Sequence, residues 1–425
     1  MSREQEARRH GHVRVAALSA VAAFGAYFAM YGFRKPFTAA SWAAPAWFGV
    51  DGKTVLLAAQ VLGYTLSKFL GIRVVSSVSA PRRVPTLLVL IAAAELALLL
   101  LPLVPHALQP VCLFANGLPL GMVFGLVMAF LEGRRLTEAA AAGLCASFIV
   151  ADGFAKSVGS QLLAAGVTEV WMPAVAGLLF APLLLICVRL LARVPPPDAE
   201  DVAARAPRPP MTRDDRRAFL RRHGTGLACI VLAYLAITVL RSVRADFSPE
   251  LWRSLGYGGA PSLFTWSELL VAALVLVGNG AVVLIGDNHR AFRCGMGVGI
   301  AGLLLCIVAT ALSSSHRIDG FAFMVLVGLG LYLPYVAVHT TLFERLVALT
   351  RDRGNLGFLL YLADSFGYLG YVAVMFGRGA LGAGDLLGFF RGLVYVAACS
   401  AAVCLTGALL YFARRSRRQP AAILR

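Results

Sequence analysis

Arg34-Lys35-Pro36-Phe37-Thr38, running on to Trp42, returns 210 residues later as Arg244-Ala245-Asp246-Phe247-Ser248, running on to Trp252. The shared pattern is R-x-x-F-[ST]-x-x-x-W. A second pair follows at an offset of 212: Phe130-Leu131-Glu132 leads to Ala151-Asp152-Gly153-Phe154, and Leu342-Phe343-Glu344 leads to Ala363-Asp364-Ser365-Phe366. Glutamate and aspartate are 20 residues apart in both. Matches at nearly one spacing, falling at corresponding places, read the chain as two copies of one structural unit.

The sequence around these motifs is apolar in long runs. Of 425 residues, 59% are hydrophobic and 14% charged, against roughly 25% charged in a soluble domain. A helix needs about 20 apolar residues to cross a bilayer. Runs of that length, rich in Leu, Ala, Val and Gly, exclude a barrel, whose strands would alternate over about ten residues. Twelve spans are expected, at about 13–40, 53–72, 84–104, 109–132, 138–166, 171–192, 225–246, 261–286, 293–312, 319–346, 355–378 and 387–413. The Pro- and Arg-rich stretch 193–222 reads as a linker. The expected architecture is therefore an all-α integral membrane protein of two pseudo-symmetric six-helix bundles, 1–192 and 223–425.

The net charge of +17 sets topology first. Of 39 basic residues, 28 lie in the tails and the loops on one side, eight lie towards the other side, and three (Lys68, Lys156, Arg241) lie inside spans. Basic short loops stay cytoplasmic, so both termini are expected inside, in a bacterial inner (plasma) membrane. The basic N-terminus is followed by too long an apolar run, without a cleavage site, to read as a signal peptide. No basic folded domain supports a nucleic-acid partner. The eight cysteines show no C-x-x-C or metal spacing and read as packing residues. Gly295, Gly297, Gly299 and Gly302 lie in an apolar span with no preceding strand, which is helix packing and not a nucleotide loop. No nucleophile–base constellation is present, so no enzyme activity, metal or cofactor is expected.

A charge in mid-membrane costs roughly 2.5–3.5 kcal/mol on insertion scales, so it tends to face a cavity or a partner. The candidates are Arg34, Lys35, Lys68, Glu95, Asp152, Lys156, Arg241, Arg244, Glu268, His339 and Asp364. Asp152 and Lys156 share one helix face, either as a self-neutralising pair or as part of a site. Arg241 and Arg244, Arg244 with more reason, have the alternative of snorkelling to the interface, as do Lys35 and, with less reason, Arg34. Glu132 with Arg134, and Glu344 with Arg345, sit at inner helix ends and read as a cytoplasmic gate of ion pairs. Glu95 carries no site assignment. The surplus of cations on spans 1, 2, 5 and 7 suits an anion, which arginine grips with two parallel hydrogen bonds.

At these residues the chain resembles the organophosphate:phosphate antiporters of the major facilitator superfamily, the glycerol-phosphate and hexose-phosphate transporters. Ala26-Tyr27-Phe28 leading to Arg34-Lys35-Pro36-Phe37 is similar to their first helix, and Tyr64-Thr65-Leu66-Ser67-Lys68-Phe69 to their second. Leu240-Arg241 followed by Asp246-Phe247-Ser248-Pro249 resembles the seventh, Tyr332 with Pro334 the tenth, and Phe366-Gly367-Tyr368-Leu369-Gly370 the eleventh. The chain is also similar to an uncharacterised bacterial branch sharing Phe33–Phe37 and Leu118–Leu126. The resemblance implies the major facilitator fold, with a mid-membrane site between halves and alternating access. It implies that Arg34 and Arg241 bind the anion, supported by Lys156, Lys68, Tyr27, Tyr31 and Tyr332. The internal repeat instead pairs Arg34 with Arg244. In two places the chain departs from the antiporters: Lys156 stands where they carry a histidine, and Ser79-Ala80-Pro81 where they carry S-D-R.

Three readings follow. The first is a secondary transporter for a small organic anion, phosphorylated solutes included, working as a monomer in the bilayer. The second is a proton-coupled permease for another solute, with Asp152, Glu268, Asp364 or His339 as proton carrier. The third is a transporter-like receptor that docks a partner on 193–222.

Overall fold

A computed structural model of the chain describes residues 3–42, 47, 50–131, 137–195, 213–258, 260–350, 356–380 and 385–418. The described residues are mainly helical, with one isolated bridge between Trp47 and Val50, and a helix lies over every expected span. The helices are α1 (Arg3–Met30), α2 (Gly52–Ser77), α3 (Arg83–Leu100), α4 (Gln109–Leu131), α5 (Thr137–Ala164), α6 (Met172–Ala192) and α7 (Arg213–Asp246). They continue as α8 (Ser248–Ser254), α9 (Ser262–Val283), α10 (Asn288–Ser314), α11 (Gly320–Ala337), α12 (Phe343–Thr350), α13 (Leu356–Ala380) and α14 (Leu386–Arg418). Among the described residues, nine helices are long and apolar enough to cross a membrane. Helices α5 and α13, which carry Asp152 and Asp364, are not among the nine. Large apolar side chains such as Val89, Val277, Leu284 and Val403 point outward. So much exposed apolar surface is tolerable in lipid and a liability in water.

Two helix boundaries differ from the expectation. α7 starts at Arg213 and not near 225, so the last ten residues of the basic stretch are helical. Asp214 and Asp215 occupy its first turn, where carboxylates complement the helix dipole. The first span does not run unbroken to 40. α1 ends at Met30 and gives way to two 3-10 turns, Tyr31–Phe33 and Pro36–Ala39. Pro36 has no N–H to continue the ladder and crowds the residue before it.

The chain forms two compact units. One is Met1–Pro207 with Ala260–Leu269, and the other is Arg208–Gly259 with Leu270–Arg425. In the first, α1 packs on α4, α5 and α6, and α3 packs on α4 and α6. In the second, α7 packs on α11, α13 and α14, and α10 packs on α11 and α14. The same pairings recur in the order the internal repeat dictates. The start of α9 belongs to the first unit, where Ser157 Oγ lies 2.6 Å from the Pro261 carbonyl and 2.7 Å from Thr265 Oγ1.

Glycines set the tightest helix contacts. A Cβ on Gly63 would meet the Phe114 carbonyl, and a Cβ on Gly117 would meet the Gln60 carbonyl, so α2 and α4 touch backbone to backbone. Gly302 and Gly330 repeat this between α10 and α11. This is the small-residue packing by which membrane helices associate closely, and it accounts for Gly302 of the Gly-rich run. Gly117→Ala should destabilise the protein by about 1–3 kcal/mol, the usual cost of overpacking. Gly280→Ala, where a Cβ meets nothing within 4 Å, should leave stability unchanged or slightly raised. Thermal unfolding of the detergent-solubilised protein measures both.

Candidate functional site

The broken end of α1 builds the site of the first unit. A helix that stops inside a membrane strands carbonyls that lipid cannot satisfy. Here five carbonyls of the segment after α1 are met by side chains. Asn116 Nδ2 donates to Phe33 O at 3.0 Å, and Gln60 Nε2 to Arg34 O at 3.1 Å. Thr38 Oγ1 donates to Lys35 O at 2.8 Å, Trp42 Nε1 to Phe37 O at 2.8 Å, and Lys53 Nζ to Thr38 O at 2.7 Å. Gln60 also donates to Asn116 Oδ1 at 2.8 Å, which ties α2, α4 and the break together. Neither Gln60, Asn116 nor Lys53 was singled out from sequence. An amide side chain in the middle of an apolar run is the signal that would have found the first two.

This scaffold holds a cluster of buried cations on aromatic faces. The Arg34 guanidinium lies 3.9 Å over the Tyr64 ring and 5.9 Å from that of Tyr31. Lys68 Nζ lies 5.2 Å from the Tyr64 ring and 5.7 Å from that of Phe124. Tyr27 meets Tyr31 and Phe124 edge-on, at 5.6 and 5.3 Å. The structure thus gathers Arg34, Lys68, Tyr27 and Tyr31, and adds Tyr64, whose ring lies under two cations. A desolvated cation–π contact is worth up to about 2 kcal/mol.

Asp152 anchors the other side of this unit. It pairs with Lys156, one turn on in α5, and its Oδ1 lies 3.4 Å from Lys35 Nζ. Lys35 is buried, so it does not snorkel. Glu268 is buried at the start of α9, its side chain close against Gly153. The described buried charges of the unit are Arg34, Lys35, Lys53, Lys68 and Lys156, against Asp152, Glu95 and Glu268. Both carboxyl oxygens of Glu95, on α3 beside Gly177 of α6, lack a hydrogen-bond partner among the described residues.

In the second unit the repeat's two arginines part company. Arg244 is 2% exposed and donates through Nε and Nη2 to Met324 O at 3.2 and 3.0 Å. It bonds backbone inside the bundle and does not reach for the interface. Room for it comes from Gly328, where a Cβ would strike its Nη2. Arg241 lies 4.6 Å over the Tyr335 ring, as Arg34 lies over Tyr64. Tyr332, the tyrosine picked from sequence, instead meets Tyr335 edge-on at 6.2 Å.

Asp364, the repeat counterpart of Asp152, has different company. It accepts from Tyr234 Oη at 2.5 Å, and its Oδ1 lies 3.7 Å from His339 Nε2. Tyr234 stacks on Tyr335 at 5.3 Å. His339 sits in a π-helical turn, Val338–Leu342, between α11 and α12. Of the expected gate, Glu132 and Arg134 lie outside the described residues. Arg345 Nη1 donates to Asn288 Oδ1 at 2.6 Å, and Glu344 stands beside it in the first turn of α12.

The sequence pattern of residues 36–415 matches that of a family of unknown function, DUF5690. The chain belongs to this family. No curated protein matches it in sequence. In three dimensions it is similar to the crystal structure of a D-xylose–proton symporter, with a TM-score of 0.61 at 11% identity, over 93% of this chain and 97% of that one. At this identity the likeness carries the fold alone. This member of the family is accordingly a multi-pass membrane protein of the major facilitator fold.

Asn116→Leu removes the donor to Phe33 O and to Ala94 O, which it also bonds at 3.0 Å. Each buried carbonyl left bare costs about 1–3 kcal/mol. The variant should unfold at a clearly lower temperature than wild type in the same detergent.

Proposed function

We propose that the protein is a secondary transporter that moves a small organic anion, phosphorylated solutes included, across the inner membrane by alternating access. It crosses the membrane twelve times in two six-helix bundles, 1–192 and 223–425, joined by 193–222, with both termini cytoplasmic. Arg34 and Arg241 bind the anion, one from each bundle. Lys68, Lys156, Tyr27, Tyr31 and Tyr332 assist, and Tyr64 and Tyr335 hold the arginines. Nothing in the proposal calls for catalysis.

The observation that carries the reading is the way these arginines are held. Each buried guanidinium lies over a tyrosine ring. A guanidinium held over an aromatic face keeps its N–H fork in its own plane, the edge that recognises carboxylate or phosphate in bidentate fashion. The surplus of buried cations in the first unit supports the same sign of substrate. So do the motifs shared with the organophosphate antiporters. The similarity to a D-xylose–proton symporter supports a second reading, a proton-coupled permease for a non-phosphorylated solute.

Purified protein reconstituted in liposomes tests both. Uptake of radiolabelled hexose phosphates and inorganic phosphate is expected, and uptake of unphosphorylated D-xylose supports the second reading. Arg34→Ala and Arg241→Ala should each lower anion flux by about 100-fold, matching the 2–5 kcal/mol lost when one partner of a buried charge contact is truncated. Arginine variants that reconstitute at wild-type level and keep their flux would remove both arginines from the site.

A further inference from the structure

We propose that the arginine-bearing start of α7 and end of α14 together form a binding site for the headgroup of an anionic phospholipid. The site rests on the membrane fold and not on the transporter reading.

Length carries these helix ends to headgroup level. α7 has 34 residues and α14 has 33, so each is about 50 Å long at 1.5 Å per residue. The hydrocarbon core is about 30 Å thick. The two helices pack along one another, and the start of α7 meets the end of α14. Tyr411 Oη donates to Arg222 O at 3.2 Å. Arg415 Nη1 donates to the same carbonyl at 2.7 Å and to Tyr411 Oη at 3.0 Å. Beside these bonds the His223 ring lies 5.1 Å from that of Phe219 and 6.3 Å from that of Phe412. A Cβ on Gly226 would strike Tyr411 and Phe412. The end is a braced junction of two helices.

The outward faces of the helices give the ligand its class. On α7 the exposed residues Leu232, Ala228, Thr225, Arg221 and Arg217 follow one another at steps of three or four. On α14 the exposed residues Val396, Val403, Leu410 and Arg414 follow at steps of seven or four. Each series is one helix face. Each is apolar or small along the span and turns to arginine at the same end of the unit. An acyl chain suits the first part of such a stripe, and a phosphate suits its end.

Charge points the same way. Nine arginines stand in 213–222 and 414–418, against Asp214 and Asp215. Arginine clusters next to a span are docking places for anionic lipid. Arg217 and Arg221 are like charges one turn apart near the positive end of the α7 dipole, and both effects are repulsive. Among the described residues, no carboxylate forms an ion pair with Arg217, Arg221 or Arg414. A phosphate between the two helices relieves this repulsion and accepts bidentate hydrogen bonds from guanidinium. A lipid also brings the acyl chain that a free phosphate or an acidic peptide lacks. Arg415 spends donors on Arg222 O and is a positioning residue, which leaves Arg217, Arg221 and Arg414 as the headgroup contacts.

Native mass spectrometry of the full chain, titrated with phosphatidylglycerol or phosphatidylcholine, tests the site. Phosphatidylglycerol should bind wild type more tightly than phosphatidylcholine does. The triple variant Arg217→Gln, Arg221→Gln, Arg414→Gln should bind phosphatidylglycerol about 100-fold more weakly, at about fivefold per arginine. Arg290→Gln with Arg293→Gln, on the exposed start of α10, should keep wild-type binding. If the triple variant does not fold, Arg414→Gln alone serves, with a loss of about fivefold. Equal binding of the two lipids by wild type, or equal binding of phosphatidylglycerol by wild type and variant, overturns the proposal. So does displacement of the lipid by inorganic phosphate or polyglutamate at lower concentration, which gives the arginines to a soluble anion or an acidic protein. Binding is read without transport. Lipid selectivity with no hexose-phosphate flux in liposomes keeps this site and removes the transporter, and flux without selectivity does the reverse.

Discussion

The constraint on which this structure turns is the unmet carbonyl. In lipid, a helix can stop only where protein supplies the hydrogen bonds that water would give elsewhere. α1 stops at Met30, short of Pro36, and the segment that follows survives because Asn116, Gln60, Thr38, Trp42 and Lys53 donate to five successive or near-successive carbonyls. The same groups fix where Arg34 and Lys35 point. Arg34 is held from behind through its own carbonyl by Gln60 and across its face by Tyr64. The polar network is thus both the repair of a broken helix and the mount for a cation. A change in Gln60 or Asn116 acts on stability and on the site at once.

Duplication gave the two units one plan and let their chemistry diverge. The pairings of α1 with α4, α5 and α6 recur as those of α7 with α11, α13 and α14. On that common frame, Asp152 has two lysine partners, while Asp364 has a tyrosine and a histidine. Lysines hold a carboxylate charged, whereas Tyr and His can exchange hydrogens with it. The repeat also explains Arg244. It occupies the position matched to Arg34 but spends its donors on Met324 O, and Arg241, one turn earlier, takes the stacked position over Tyr335.

What the sequence disclosed follows from what lipid enforces. Apolar runs of span length have few other meanings, so the helices are legible from hydropathy. Buried charge was equally visible, because Arg34, Lys156 and Asp364 stand out in such runs. Aromatic partners were not. Tyr64, Tyr234 and Tyr335 look like ordinary packing in an apolar span, and only the fold shows that they lie against a cation or a carboxylate. Lys53 was hidden for the opposite reason: at the end of a span, a lysine reads as interfacial, yet this one is buried on Thr38 O.

The break in α1 is hidden in the sequence for a further reason. Proline is common in membrane helices, where neighbours re-satisfy the freed groups, and α4, α6 and α11 pass through Pro119, Pro182 and Pro334 without ending. Proline alone therefore does not decide. At Pro36 it coincides with two adjacent cations and with donors on facing helices that reward an open backbone. A straight helix through Arg34 and Lys35 would have closed off the Phe33 and Arg34 carbonyls to Asn116 and Gln60. The amides on α2 and α4, more than the proline, select the broken form.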